Sequence, residues 1–191
     1  MAFEKRAKSG GSHKRSPDFS VTEGTKKEKK SPTPERLEQR ARNVLLHQLA
    51  RSAKSTHQLR QILEKREIPS EIAERVLERF TEVGLIDDAA YAETIVNSRR
   101  NIKGLSKSAI KRELNDKGVP SPLIEVATEA ITSEDDLVLA QELAGRRIRQ
   151  MTNLAAEVRH RRLVGYLGRK GFSSAVVFAA IRFAESNRDD N

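Results

Sequence analysis

Cysteine is absent from the 191 residues, which removes disulfide frameworks, thiolate metal sites and cysteine nucleophiles together. Histidine is scarce. His13, His47, His57 and His160 never fall three or four apart, the spacings that set two imidazoles on one helical face as metal ligands. The chain also lacks a Gly-x-x-x-x-Gly-Lys-Ser/Thr phosphate loop, a Gly-x-Gly-x-x-Gly turn and a Gly-x-Ser-x-Gly elbow. No catalytic apparatus, metal site or cofactor is expected. Long apolar runs are missing too: 37% of residues are hydrophobic and 33% charged, with a mean hydropathy of −0.63, and nothing nears the run of about 18 that a membrane span needs. The N-terminus, Met-Ala-Phe-Glu-Lys-Arg, is charged and carries no apolar signal core. A cytoplasmic protein, monomeric and away from membranes, is expected.

What the chain does have is positive charge, net +9. More than half of it comes from residues 1–36, with 10 basic and 5 acidic side chains. From Ala2 to Thr33 the composition is mostly Lys, Ser, Gly, Glu, Thr and Pro. Such a segment cannot bury enough surface to offset its chain entropy, so residues 1–33 are expected to form a disordered basic tail. Three of the six prolines, Pro17, Pro32 and Pro34, precede or open the first helix. Beyond them apolar residues recur at helical spacing, as in Leu37, Ala41, Val44, Leu45 and Leu49, or Leu137, Ala140, Leu143 and Ala144.

The body repeats itself. Leu59-Arg-Gln-Ile-Leu63 aligns with Ile110-Lys-Arg-Glu-Leu114 and Leu163-Val-Gly-Tyr-Leu167, at offsets of 51 and 53 residues. Ile68-Pro69-Ser70 then matches Val119-Pro120-Ser121 and Phe172-Ser173-Ser174. Each unit is too small to bury its apolar face alone, so the units must stack. Punctuation gives each unit three helices. In the middle one Asp87-Asp88 opens the first helix, Lys103-Gly104 breaks it, Ser106 or Lys107 starts the second, Gly118 closes it and Ser121-Pro122 caps the third. The expected fold is all-α: three tandem three-helix, helix-turn-helix-like repeats over residues 34–84, 85–132 and 133–187, in an elongated curved array behind the tail.

The acidic pairs Asp87/Asp88 and Asp135/Asp136 sit where first helices begin, and capping accounts for them without a metal. Basic runs carry more information. Residues 145–170 hold Arg146, Arg147, Arg149, Arg159, Arg161, Arg162, Arg169 and Lys170 against the single acid Glu157. Residues 99–112 hold Arg99, Arg100, Lys103, Lys107, Lys111 and Arg112 with no acid. Arginine forks match phosphate and carboxylate oxygens, so these runs suit a nucleic-acid backbone or an acidic protein surface; a solvated face balanced by distant acids is the alternative. A sequence-specific DNA reader is less favoured, because the third helices present Glu71, Glu74, Glu78, Glu125 and Glu129, which repel phosphate. Stacking on bases has little to draw on among eight Phe and Tyr, of which Phe80, Tyr91, Phe172 and Phe178 fit core positions.

The segment Gly84-Leu-Ile-Asp87-Asp88-Ala-Ala-Tyr91-Ala92, continuing to Val96 and Arg99 and then to Gly104 and Gly118, resembles the signature of the RecX family of bacterial recombination regulators. The likeness extends over about residues 37–186. Glu67 stands where the family usually places a glycine, the last unit carries extra residues between Arg149 and Arg159, and the basic tail is long for the family. The resemblance implies a non-enzymatic modulator. It implies binding to the RecA recombinase filament on single-stranded DNA, within the filament's groove, and suppression of its ATP hydrolysis, strand exchange and coprotease activities. Homologous recombination, DNA repair and the SOS response would be the processes modulated. A helix-turn-helix DNA-binding module or transcription regulator acting without RecA is the alternative.

Overall fold

The computed structural model describes residues 33–189, and the expected basic tail lies outside the described residues except at Thr33. These residues form nine α-helices and no strand. They are α1 (Pro34–Arg51), α2 (Thr56–Glu64), α3 (Ser70–Glu82), α4 (Asp88–Asn97), α5 (Lys107–Asp116), α6 (Ser121–Thr128), α7 (Ser133–Ile148), α8 (Ala156–Arg169) and α9 (Ser174–Asp189). A single π turn, Ser98–Ile102, prolongs α4.

Local chemistry starts most of these helices. Ser55 and Gln58 form a reciprocal capping box on α2, as Thr132 and Asp135 do on α7. Asp87 accepts the Ala90 amide at 2.9 Å and Ser106 the Ala109 amide at 3.2 Å, capping α4 and α5. The third helices differ from expectation. Ser70 and Ser121 are not caps but the first helical residues, with Pro69 and Pro120 before them in extended conformation. Each proline carbonyl receives the first helical amide, from Ala73 at 2.9 Å and Ile124 at 3.1 Å. Proline carries no side-chain acceptor, so these two helices begin without a side-chain cap.

The three second helices end on one hydrogen-bond pattern. Ile68, Val119 and Phe172 donate their amides back to Leu63, Leu114 and Leu167 across a residue in left-handed conformation. That residue is Glu67 (φ 57°), Gly118 (φ 70°) or Gly171 (φ 86°). Glu67 therefore keeps the turn geometry that glycine normally allows, at a conformational cost of roughly 1–2 kcal/mol.

Three separate cores result. One gathers Ala41, Leu45, Leu59, Leu63 and Leu77, the next Ala92, Val96, Ile110, Leu114 and Ile124, the last Ala140, Ala144, Leu163, Leu167 and Ile181. Ala41, Ala92 and Ala140 occupy matching places on the first helices and are completely buried. Their small side chains let the helices behind approach closely, while each buried leucine contributes about 1.5–3 kcal/mol. Outside the first two cores an ion pair ties second helix to third: Arg60 grips Glu74 at 2.5 and 2.8 Å, and Lys111 meets Glu125 at 2.5 Å. The corresponding residues of the last repeat are Val164 and Phe178. Phe178, expected in the core, is half exposed and stacks on His160 at 6.2 Å between ring centroids.

Candidate interaction surface

Consecutive repeats are joined by the same chemistry twice. At the first joint the buried Ser55 hydroxyl donates to the Lys117 carbonyl (2.5 Å), while the Asp88 carboxylate accepts the Thr56 amide (2.8 Å). At the second joint Ser106 donates to the Gly171 carbonyl (2.7 Å), and Asp136 accepts the Lys107 amide at 3.2 and 3.3 Å. Each acidic pair thus caps two helices. Asp87 and Asp135 serve their own first helix, whereas Asp88 and Asp136 reach the part-buried amides at the start of the previous repeat's second helix, where a negative charge is favoured. Among the described residues no group of three or more His, Asp or Glu could hold a metal ion.

The motif residues Gly84, Asp87, Asp88, Tyr91, Ala92, Val96, Gly104 and Gly118 serve this architecture. Tyr91, Ala92 and Val96 are buried, and the Tyr91 hydroxyl donates across the first joint to Gln58 Oε1 at 3.3 Å. Burial is the main reason its pKa lies above the usual tyrosine value, with the Glu113 charge adding to it. Gly118 packs on His57, and a Cβ there would fall within 3.0 Å of three His57 atoms, Cβ included. Gly171 sits likewise on the first turn of α5, where a Cβ would come to 2.5 Å from that of Ala109.

The cations singled out from the sequence divide into two groups. Several are committed internally. The π turn aims Arg99 at Glu113, gripped by two hydrogen bonds of 2.6 and 2.7 Å, and Arg100 at Asp136 across the second joint. The Arg99 hydrogen bonds hold the Glu113 carboxyl below its ordinary pKa. Lys107 Nζ donates to the Ile131 carbonyl at 2.8 Å, and Lys111 is paired with Glu125. Arg159 is buried and donates to the Leu154 carbonyl at 3.1 Å. These five side chains are engaged in contacts within the fold.

Lys103, Arg112, Arg146, Arg147, Arg149, Arg161, Arg162 and Arg169 are exposed, and Lys170 is partly so. Of these only Arg146 approaches a carboxylate among the described residues, Glu142 at 3.9 Å. Lys103, Arg146, Arg147 and Lys170 converge with Arg100 on a cleft of about 400 Å³ between the end of the π turn, α7 and α8. Tyr166 lies in it, with the Arg147 guanidinium 5.7 Å and the Lys170 ammonium 5.3 Å from its ring centroid. Lys170 Nζ also donates to the Lys103 carbonyl. Desolvation, with the like charge of Arg146 behind it, holds the Lys170 ammonium below the usual lysine pKa. Tyr166 and the 82%-exposed Ile102 belong to this cleft and were not singled out in the sequence, although Arg162, Tyr166 and Lys170 follow at four-residue spacing on α8.

Tandem three-helix repeats linked by two similar joints, with a cationic cleft on the last, define a helical-repeat protein. Sequence models described as the first, second and third three-helix domains of RecX match residues 41–80, 87–127 and 134–181. The regulatory protein RecX of Streptomyces coelicolor is 41% identical over 167 residues, which cover 87% of this chain and 88% of that protein. The regulatory protein RecX of Thermobifida fusca is 38% identical over 152 residues, 80% of this chain and 82% of its own. A crystal structure of regulatory protein RecX superposes with a TM-score of 0.64 at 27% identity, covering 78% of this chain and 73% of that one. The crystal structure of RecX from Lactobacillus salivarius shares the fold with a TM-score of 0.67 over 78% of this chain and 97% of the other, at 19% identity. The chain belongs to the RecX family of regulatory proteins.

Proposed function

We propose that this chain is a non-enzymatic, cytoplasmic regulator that binds the RecA filament on single-stranded DNA as a monomer. By occupying the filament it inhibits ATP hydrolysis, strand exchange and coprotease activity, and so modulates homologous recombination, DNA repair and the SOS response. The observation that carries the reading is the match to all three RecX domains, including the joint-forming segment from Asp87 to Arg99. Physical chemistry supports it: several modest contacts spread over linked repeats reinforce one another through effective concentration. DNA-stimulated ATP hydrolysis by RecA, measured with and without the full chain, tests it. Inhibition at or below equimolar ratio is expected, and unchanged hydrolysis at that ratio refutes it.

A further inference from the structure

We propose that the crevice between the π turn and α8 is a seat for the phosphodiester backbone of single-stranded nucleic acid, which enters beside Tyr166 and leaves over the outer face of α8. The proposal takes its partner from the filament reading above and assigns the nucleic-acid contact to the third repeat. Two adjoining cavities, of about 400 and about 410 Å³, share Ile102, Lys103, Tyr166 and Lys170. The second extends the first to Arg169. Neither has an Asp or Glu among its described lining residues. Arg100 and Arg146 have carboxylate partners in Asp136 and Glu142, but Lys103, Arg147, Arg169 and Lys170 have none within 4 Å among the described residues, so these four repel one another and an anion laid along the crevice relieves that repulsion.

The outer face of α8 continues the track. Arg161, Gly165, Gly168 and Arg169 fall at i, i+4, i+7 and i+8, one face of the helix, with Arg162 beside them. Neither glycine has a positive φ; a Cβ at Gly168 would meet nothing within 4 Å, and one at Gly165 would meet only the flexible Arg169 guanidinium, at 3.3 Å. The fold therefore requires neither, although each costs a helix interior about 0.5–1 kcal/mol relative to alanine. A bare helix surface between arginines lets a chain of phosphates come close. Strand backbone, rather than an acidic protein surface, is favoured by the interleaving of cations with the Tyr166 ring and Ile102, since a single strand offers both phosphates and flat apolar bases.

The test measures binding of the full chain to a fluorescent oligothymidylate by anisotropy across salt concentrations. A crevice variant combines Lys103→Gln, Arg147→Gln and Arg169→Gln. A charge-matched control combines Arg36→Gln, Arg40→Gln and Arg66→Gln, exposed residues that line a separate cleft on the first repeat. The crevice variant is expected to weaken binding at least about tenfold and to lower the salt slope by about 2, for three lost phosphate contacts on a single strand, while the control weakens it less than about threefold. The charge-keeping exchange of Lys103→Arg, Arg147→Lys and Arg169→Lys is expected to retain binding. Equal losses in crevice variant and control, loss in the charge-keeping variant, or no binding by the wild type would each overturn the proposal. So would a crevice variant that keeps oligothymidylate but no longer inhibits RecA ATP hydrolysis, because the occupant would then be an acidic protein surface. A wild type that leaves RecA untouched yet binds oligothymidylate through the crevice would refute the filament reading and leave this one standing.

Discussion

Substituting Gly118 by alanine separates backbone strain from steric exclusion at the first joint, with Gly84→Ala as its reference. Both glycines have nearly the same backbone, φ 70° and 71°. At Gly84 a Cβ meets nothing within 4 Å, so Gly84→Ala carries only the left-handed penalty less the lost freedom of the unfolded chain. That leaves about 1 kcal/mol, or about 2–4 °C in melting midpoint for a chain of this length. Gly118→Ala adds an overlap with His57 that no rotamer change relieves, because the His57 Cβ is itself among the clashing atoms. Relief requires the repeats to part, which strains the Ser55–Lys117 and Thr56–Asp88 hydrogen bonds, worth about 1 kcal/mol for the neutral bond and roughly 1.5–3 for the charged one. The expected total is about 3–5 kcal/mol, a fall of at least about 6 °C followed by far-UV circular dichroism. Adding His57→Ala is expected to recover only part, since its Cβ remains. Equal melting shifts for the two glycine variants would refute the joint described above.

Glu67 holds the same turn with no preceding repeat against it, so Glu67→Gly is expected to stabilise by about 0.5–1 kcal/mol and raise the melting midpoint by about 1–4 °C. Glu67→Ala keeps the Cβ and is expected to gain nothing; a gain equal to that of glycine would exclude backbone strain as the cause. Because the Arg99 hydrogen bonds lower the folded-state pKa of Glu113, that carboxylate's contribution is complete above about pH 4.3, the ordinary glutamate value, and is lost as pH falls through the depressed one. Glu113→Gln is therefore expected to lose less stability than the wild type between about pH 6 and about pH 3 in denaturant titrations, and parallel pH profiles would contradict the pairing.

Much of the fold is legible in the sequence because its determinants are local. The amides capped by Ser55, Asp87 and Ser106 lie three residues away, within one turn. The repeat offsets carry the cores in register. The site is less legible because charge alone does not say where a partner sits. Arg99 and Arg100 look free in an acid-free run, yet Glu113 follows 14 and Asp136 36 residues later, and the π turn swings each guanidinium to its partner. Arg60–Glu74 and Lys111–Glu125, by contrast, occupy the same places in successive repeats, a signal that comparison of repeats could have exposed. Arg159 shows the opposite failure. It occupies the place of Ser106 in the last repeat and is buried there, where composition suggests a surface cation. Phe178 is half exposed because the acid of the earlier repeats has been replaced there by an aromatic ring, with no neighbouring repeat to cover it.

The joint has a direction. Its donor half is a serine at the start of a second helix, and its acceptor half is a carboxylate on the first helix of the following unit. In the first unit the position matching Asp88 is Leu37, and in the third the position matching Ser106 is Arg159, so each terminal unit lacks one half. Only the central unit possesses both Asp88 and Ser106. Lengthening of such a chain by tandem gene duplication would therefore succeed by copying the centre. Copies of either flanking unit would bring a mismatched coupling into the interior, so the pattern of joint residues favours growth through the centre alone.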